Sequence, residues 1–178
     1  MGKNIVVLSG SPRKDGNTDK LTAAFVEGAE SAGNAVTCFR PADMNIGGCR
    51  GCGHCFKETG VCVQKDDMPQ ILDALRKADT LVLASPVYYF GVTAQLKLAI
   101  DRTYATLKEK LPIKQAALLL TCGADTDVTA PSIAMFRRIL ALQKWAEAGI
   151  VVAPKLHGMD EINGREELEQ AKKLGREI

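Results

Sequence analysis

The chain has 178 residues, 46% of them hydrophobic and 25% charged, with a formal net charge of +2. That length suits one domain with a sizeable core, and the near-neutral charge without a dense basic run speaks against a nucleic-acid surface. No apolar stretch approaches the roughly 20 residues of a membrane span.

The apolar run 5–8 reads as a strand buried on both faces. No secretory pattern precedes it, so a cytoplasmic location is expected, with the six cysteines as thiols, metal ligands or catalytic groups rather than disulfides. Residues 9–18, Ser-Gly-Ser-Pro-Arg-Lys-Asp-Gly-Asn-Thr, then join this strand to a helix. Leu21, Phe25, Gly28 and Ala32 recur at helical spacing, so the helix covers 18–32. The connecting loop offers the hydroxyls of Ser9, Ser11 and Thr18, the guanidinium of Arg13, the amide of Asn17 and the glycines Gly10 and Gly16. Backbone N–H groups at a helix N-terminus attract an anion, hydroxyls donate to it and arginine neutralises it, so a phosphate fits. The alternative is an ordinary connection capped by Asn17 or Thr18. It is not a Walker A loop, because no Gly-Lys-Ser/Thr closes it.

A second strand covers 35–39, with Cys38 expected in the core. Residues 40–66 show no period and carry Cys49, Cys52, Cys55 and Cys62. A helix is marked by Met68, Ile71, Leu72, Leu75 and Ala78, and strands follow at 80–84, 116–121 and 150–153. Helices are expected at 93–102, around Phe136 to Gln143, and at the end around Leu168, Ala171 and Leu174. The third strand runs into Ser85-Pro86-Val87-Tyr88-Tyr89-Phe90-Gly91, three of the chain's nine aromatics in a row. Aromatic faces and backbone donors at a strand end suit a flat heteroaromatic ring; a hydrophobic plug or a subunit contact is the alternative. The fourth strand ends in Thr121, Cys122 and Gly123, where Cys122 is expected as a neutral packing thiol.

Five strands alternating with five helices predict an α/β fold, a three-layer sandwich on a parallel sheet. The favoured order is 2-1-3-4-5, the flavodoxin-like one, with ligands beyond the carboxyl ends of strands one and three. The loops 9–18 and 85–91 lie there, with 121–126 beside them. No interdomain linker is visible, so residues 1–178 are expected to form a single domain with a cysteine-rich loop at about 45–66.

The loop Gly10-Ser11-Pro12-Arg13 with Gly16-Asn17-Thr18, together with Ser85-Pro86-Val87-Tyr88, resembles the NAD(P)H-dependent FMN reductase branch of the flavodoxin-like flavoproteins over residues 3–157. Cys49-x2-Cys52-x2-Cys55-x6-Cys62 before Asp66-Asp67-Met68 resembles the iron–sulfur flavoprotein subgroup. The resemblance implies that Ser9, Ser11, Arg13, Gly16, Asn17 and Thr18 hold the FMN phosphate. It implies that Pro86, Val87, Tyr88, Tyr89, Phe90 and Gly91 line the isoalloxazine, with Thr121, Cys122 and Gly123 at a third edge. It also favours a 4Fe–4S cluster on Cys49, Cys52, Cys55 and Cys62; read from spacing alone, zinc or bare thiols remain open.

The implied activity is that of an FMN enzyme taking electrons from NAD(P)H to a quinone, a flavin or another acceptor, with no side-chain acid or base required. The alternative is an iron–sulfur flavoprotein carrier that exchanges electrons with ferredoxin. The expected partners are small redox substrates, with no nucleic acid and no membrane. Ala94, Leu96, Leu98, Ala99 and Ile100 spread over more than one face of their helix. A homodimer through that helix is therefore expected, and the resemblance implies a homotetramer of two such dimers as the alternative.

Overall fold

The structure, a computed structural model, describes residues 2–57 and 60–178. Five strands form one parallel sheet in the order β2-β1-β3-β4-β5. They are β1 (Asn4–Ser9), β2 (Ala35–Phe39), β3 (Thr80–Pro86), β4 (Gln115–Thr121) and β5 (Ala146–Ala153). The registers pair Ser9 with Ala84, Pro86 with Thr121 and Thr121 with Ala153, so the carboxyl ends stand level along one edge.

Alternation along each strand divides the interior in two. Val6, Leu8, Leu81, Leu83, Leu118 and Leu120 face α3 (Met68–Leu75), α4 (Ala94–Arg102) and α5 (Ala130–Gln143). Ile5, Val7, Val82, Ala84, Ala117 and Leu119 face α1 (Asn17–Ser31) and α6 (Glu166–Glu177). Burying both faces of a parallel sheet requires apolar residues at successive positions, which is why the inner strands read as unbroken hydrophobic runs.

The expected fold class and order are therefore found. Three local differences have physical reasons. The sixth helix is one turn, α2 (His54–Lys57), inside the cysteine segment; it is too short to show a period. The strand β5 begins four residues before the expected 150, because an edge strand tolerates the exposed Ala146 and Glu147. Cys38 is exposed rather than in the core, since β2 is an edge strand with little covering it.

Helices α1 and α6 meet at backbone distance. A methyl group on Gly28 would lie 1.9 Å from the Lys172 carbonyl oxygen, and one on Gly175 would lie 2.1 Å from the Phe25 carbonyl oxygen. Neither obstacle is a side chain that can rotate away. Gly28→Ala should therefore destabilise the protein by about 1–3 kcal/mol through overpacking. That effect outweighs the gain of about 1 kcal/mol that alanine brings to a helix. Urea unfolding of the variant checks it, and equal or greater stability would show that the helices can part without cost.

Candidate functional site

A cleft opens at the carboxyl edge of the sheet, between the loops after β1, β3, β4 and β5. It is lined by Ser11, Arg13, Gly16, Asn17, Thr18, Pro86, Val87, Tyr88, Thr121, Cys122 and Gly123. All eleven are residues that sequence reasoning singled out. Leu156, Gly158 and Met159 complete the lining. They belong to the loop after the edge strand, where Pro154, Gly158 and Gly164 mark a break between strand and helix but nothing marks a ligand.

Helix α1 starts at this cleft. Its N-cap is Gly16, in extended conformation and without a side-chain cap. The first backbone N–H groups of the helix are thus available to an anion, and the helix dipole favours one there. Arg13 is exposed, and among the described residues its guanidinium has no carboxylate partner. The Ser11 hydroxyl donates to the Arg13 carbonyl oxygen (3.0 Å) and accepts from the Arg13 N–H (3.2 Å), which fixes the turn.

Other predicted groups are already committed to the fold. The Asn17 amide donates to the Gly158 carbonyl oxygen (2.8 Å) and its oxygen accepts from the Ile162 N–H (3.3 Å), so Asn17 pins the loop after β5. The hydroxyls of Thr18 and Thr121 bond each other at 2.7 Å. The buried Ser9 donates to Asp19 (3.2 Å) and lies outside the cleft.

One ion pair that sequence reasoning missed governs the charge of this loop. Asp19 stands in the first turn of α1, where its carboxylate would repel an incoming anion. Arg40, the residue after β2, bonds that carboxylate at 2.5 Å and donates to the carbonyl oxygens of Ser11 and Arg13 (3.3 Å each). Arg40 thus neutralises Asp19 and clamps the loop from behind.

The aromatic loop is a tight hairpin. The Tyr88 N–H donates to the Gly91 carbonyl oxygen (2.9 Å) and the Gly91 N–H to the Tyr88 carbonyl oxygen (3.1 Å). Tyr89 and Phe90 occupy the two central positions with φ of 49° and 67°. Left-handed conformation at both central positions is normally met by Asn-Gly, and bulky residues are strained in it. Tyr88 faces the cleft, but Tyr89 is 98% exposed and Phe90 is also turned outward. These two and Gly91 therefore do not line the cleft, because consecutive side chains in a hairpin diverge.

Cys122 is buried, and burial pushes its thiol above the ordinary value, so it stays protonated at neutral pH. It forms a wall of the cleft, as the neutral thiol expected there.

The helix after the aromatic loop does not present the second apolar face that its sequence indicated. Leu96 and Ala99 are fully buried, and Leu98 and Ile100 are partly buried against the same core.

Cys49, Cys52, Cys55 and Cys62 rim one cavity of about 360 Å³ with Arg50, Gly51, Gly53, Val63, Gln64, Asp101 and Tyr104. Among the described residues, no three His, Cys, Asp or Glu side chains converge closely enough to hold a single metal ion. The segment is laced shut at its base. Asp66 accepts from the Gly47 N–H (3.0 Å), and Asp67 accepts from the Asn45 N–H (2.8 Å). Gln64 donates to the Gly48 carbonyl oxygen (3.0 Å). Beneath it Arg102 pairs with Asp66 at 2.6 Å. No helix of the described residues is long and apolar enough to cross a membrane.

A family model, NADPH-dependent FMN reductase, matches residues 3–143. An iron–sulfur flavoprotein of Archaeoglobus fulgidus is 43% identical over 97 residues, which are 54% of this chain and 44% of that protein. An iron–sulfur flavoprotein of Methanosarcina thermophila is 34% identical over 110 residues, 62% of this chain and 57% of that one. The chain thus spans about half the length of these curated relatives. Among solved structures, an NAD(P)H:quinone oxidoreductase from Methanothermobacter marburgensis superposes with a TM-score of 0.75 at 18% identity, covering 99% of this chain and 96% of that one. An azoreductase from Bacillus anthracis gives a TM-score of 0.76 at 16% identity, covering 99% and 100%. At such identities these two structures speak to the fold alone.

The strained hairpin yields a prediction that needs no ligand. Phe90→Gly should stabilise the protein by about 1 kcal/mol, because glycine adopts the left-handed conformation without the side-chain penalty. The midpoint of urea unfolding reads the change. A lower midpoint would mean that contacts of the Phe90 ring outweigh the backbone strain.

Proposed function

The chain belongs to the NADPH-dependent FMN reductase family, and from that premise we propose that it is an FMN-dependent oxidoreductase carrying electrons from NAD(P)H to a quinone, a flavin or another acceptor. One observation carries this reading. The open N-terminus of α1, Arg13 without a carboxylate partner among the described residues, and three further strand-end loops meet in one cleft at the switch point of the sheet. The groups present fit FMN. Arg13 and the first N–H groups of α1 would hold its phosphate, and Gly16 leaves room for the approach. Pro86, Val87 and Tyr88 on one side, and Thr121, Cys122 and Gly123 on the other, would hold its ring. Bound FMN would supply hydride acceptance at N5 and onward transfer of one or two electrons. The protein's work is to orient the ring and keep one face open. Cys122, protonated and buried, adds no competing nucleophile to the wall. Ser9, Asn17 and Thr18 act by holding the loops in place through their side-chain bonds.

A second reading rests on the cysteine cavity. Four thiolates around one zinc ion stand roughly 4 Å apart, as bonds of about 2.3 Å in a tetrahedron require. The four cysteines instead surround a cavity of about 360 Å³ without any three converging on a single ion among the described residues. A 4Fe–4S cluster, which holds its thiolates further apart, fits that arrangement better. A bound cluster would supply single-electron exchange, for which an iron–sulfur carrier such as ferredoxin is the matching partner. The chain then works as one FMN-binding domain with a cysteine-rich loop, in the reducing cytoplasm that keeps thiols free. The exposed Tyr89 and Phe90 would be covered by a second copy in a homodimer or homotetramer. Sedimentation at micromolar concentration tests that assembly, and an active FMN-bound monomer would rule it out.

Two measurements test the cofactors. Arg13→Ala should weaken FMN by about 1.5–3 kcal/mol, the range for a bond to a charged group. Arg40→Ala should weaken it too, although Arg40 lies behind the loop, because the Asp19 carboxylate in the first turn of α1 is left without its neutralising partner. Titration of apo-protein with FMN reads both; unchanged affinity in both variants would move the phosphate elsewhere. Protein prepared anaerobically should contain iron and acid-labile sulfide as well as FMN. Cys52→Ala should lose the iron and keep the flavin, and metal analysis returning only zinc would reject the cluster.

A further inference from the structure

Arg102 closes α4 beneath the cysteine segment. Its side chain is charged, yet only 2% exposed. One terminal nitrogen donates to Asp66 (2.6 Å) and to the Gly47 carbonyl oxygen (2.7 Å), and the other donates to the second Asp66 oxygen (3.0 Å). This end-on pairing uses both Nη atoms and leaves Nε–H to one side. That Nε is buried and has no acceptor among the described residues. A buried donor without a partner bears its full desolvation cost, and native structures rarely keep one without a reason.

The neighbouring group is Cys62. Cys62, four residues before Asp66, stands close enough to the Arg102 side chain to interact with it. Cys62 also lines the cavity shared with Cys49, Cys52 and Cys55. Asp66 already balances the charge of Arg102. What the guanidinium has left to offer is the buried, unpartnered Nε–H, with Cys62 as the neighbouring sulfur.

We propose that Arg102 is a positioning residue whose Nε–H donates to the Cys62 sulfur when the four thiols carry their cluster, and that this bond raises the cluster's reduction potential. The inference rests on the cluster reading above. A hydrogen bond to a ligating sulfur withdraws electron density and favours the reduced, more negative state, as outer-shell donors do generally. Lysine at this position can pair with Asp66 but has no second donor edge.

The test uses the full chain, reconstituted anaerobically, with the cluster potential read by optical or EPR-monitored titration. Arg102→Lys should keep its iron, sulfide and FMN. At a fixed poise its cluster should be about tenfold less reduced, a midpoint about 59 mV more negative for a one-electron couple. A second variant, Arg102→Met with Asp66→Asn, removes both charges together and carries the same expectation. A third measurement needs no substitution. Pulsed EPR of the reduced wild-type protein labelled with nitrogen-15 arginine should detect a coupled arginine nitrogen, and that coupling should persist in Arg50→Lys. Iron-free wild-type protein overturns the cluster reading and this inference with it. A loaded variant at the wild-type potential, or a loaded wild-type protein without the arginine coupling, overturns the role of Arg102 and leaves the cluster reading standing.

Discussion

Thr93 is the point on which the candidate site depends. Its hydroxyl donates to the Gly10 carbonyl oxygen (2.7 Å), and its N–H donates to the Ser85 hydroxyl (3.0 Å). The same hydroxyl caps α4 by accepting from the Leu96 N–H (3.3 Å). One buried residue, through its hydroxyl and its backbone N–H, thus fixes the loop after β1, the end of β3 and the start of a helix. The approach is close enough that Gly10 cannot carry a side chain. A methyl group there would lie 2.6 Å from the Leu96 Cβ and 2.8 Å from the Thr93 hydroxyl. The switch point gives a ligand space, and Thr93 sets its width.

From Thr93, helix α4 runs away from the cleft, and its nine residues make a strut of about 14 Å. Arg102 stands at the far end and grips the cysteine segment through Asp66 and Gly47. Leu96 and Ala99 on the inner face anchor the strut in the core. Its half-buried Leu98 and Ile100 look superfluous on a helical wheel, but they pack on the same core. A helix joining two sites needs more than one apolar stripe, because its ends are covered by different loops.

The sheet order was legible because buried parallel strands announce themselves as apolar runs, and crossovers of one hand leave few arrangements. The cleft was legible for a related reason. Strand-end loops at a switch point are set by topology, so eleven lining residues could be named from the sequence. What the sequence concealed was the use of individual side chains. Asn17 and Thr18 look like ligand donors, yet they are spent on Gly158 and Thr121, which are 141 and 103 residues away along the chain. Tyr89 and Phe90 look like ring platforms, yet a two-residue hairpin turns them outward. Arg40 and Arg102 matter for the opposite reason. Arg40 shows only its local pair with Asp43, and the partners that matter here, Asp19 and Asp66, lie on elements remote in sequence.

Those two arginines give the cysteine segment a role beyond its thiols. Its head, Arg40, neutralises Asp19 and holds the carbonyl oxygens of Ser11 and Arg13. Its tail, Asp66, is paired with Arg102 at the end of α4, and the start of α4 is bonded to the same loop after β1 through Thr93. The segment and the strut therefore form a closed circuit of bonds that starts and ends at the loop after β1. A group that orders the four-thiol cavity acts on a segment bound at both ends, and both ends lead back to residues 10–13. Removing the Asp66 carboxylate would release the tail and leave the head in place, whereas removing Arg40 would release the head and expose a carboxylate beside the anion site. The two ends are mechanically alike but electrostatically different, and only the head changes the charge that an incoming phosphate meets.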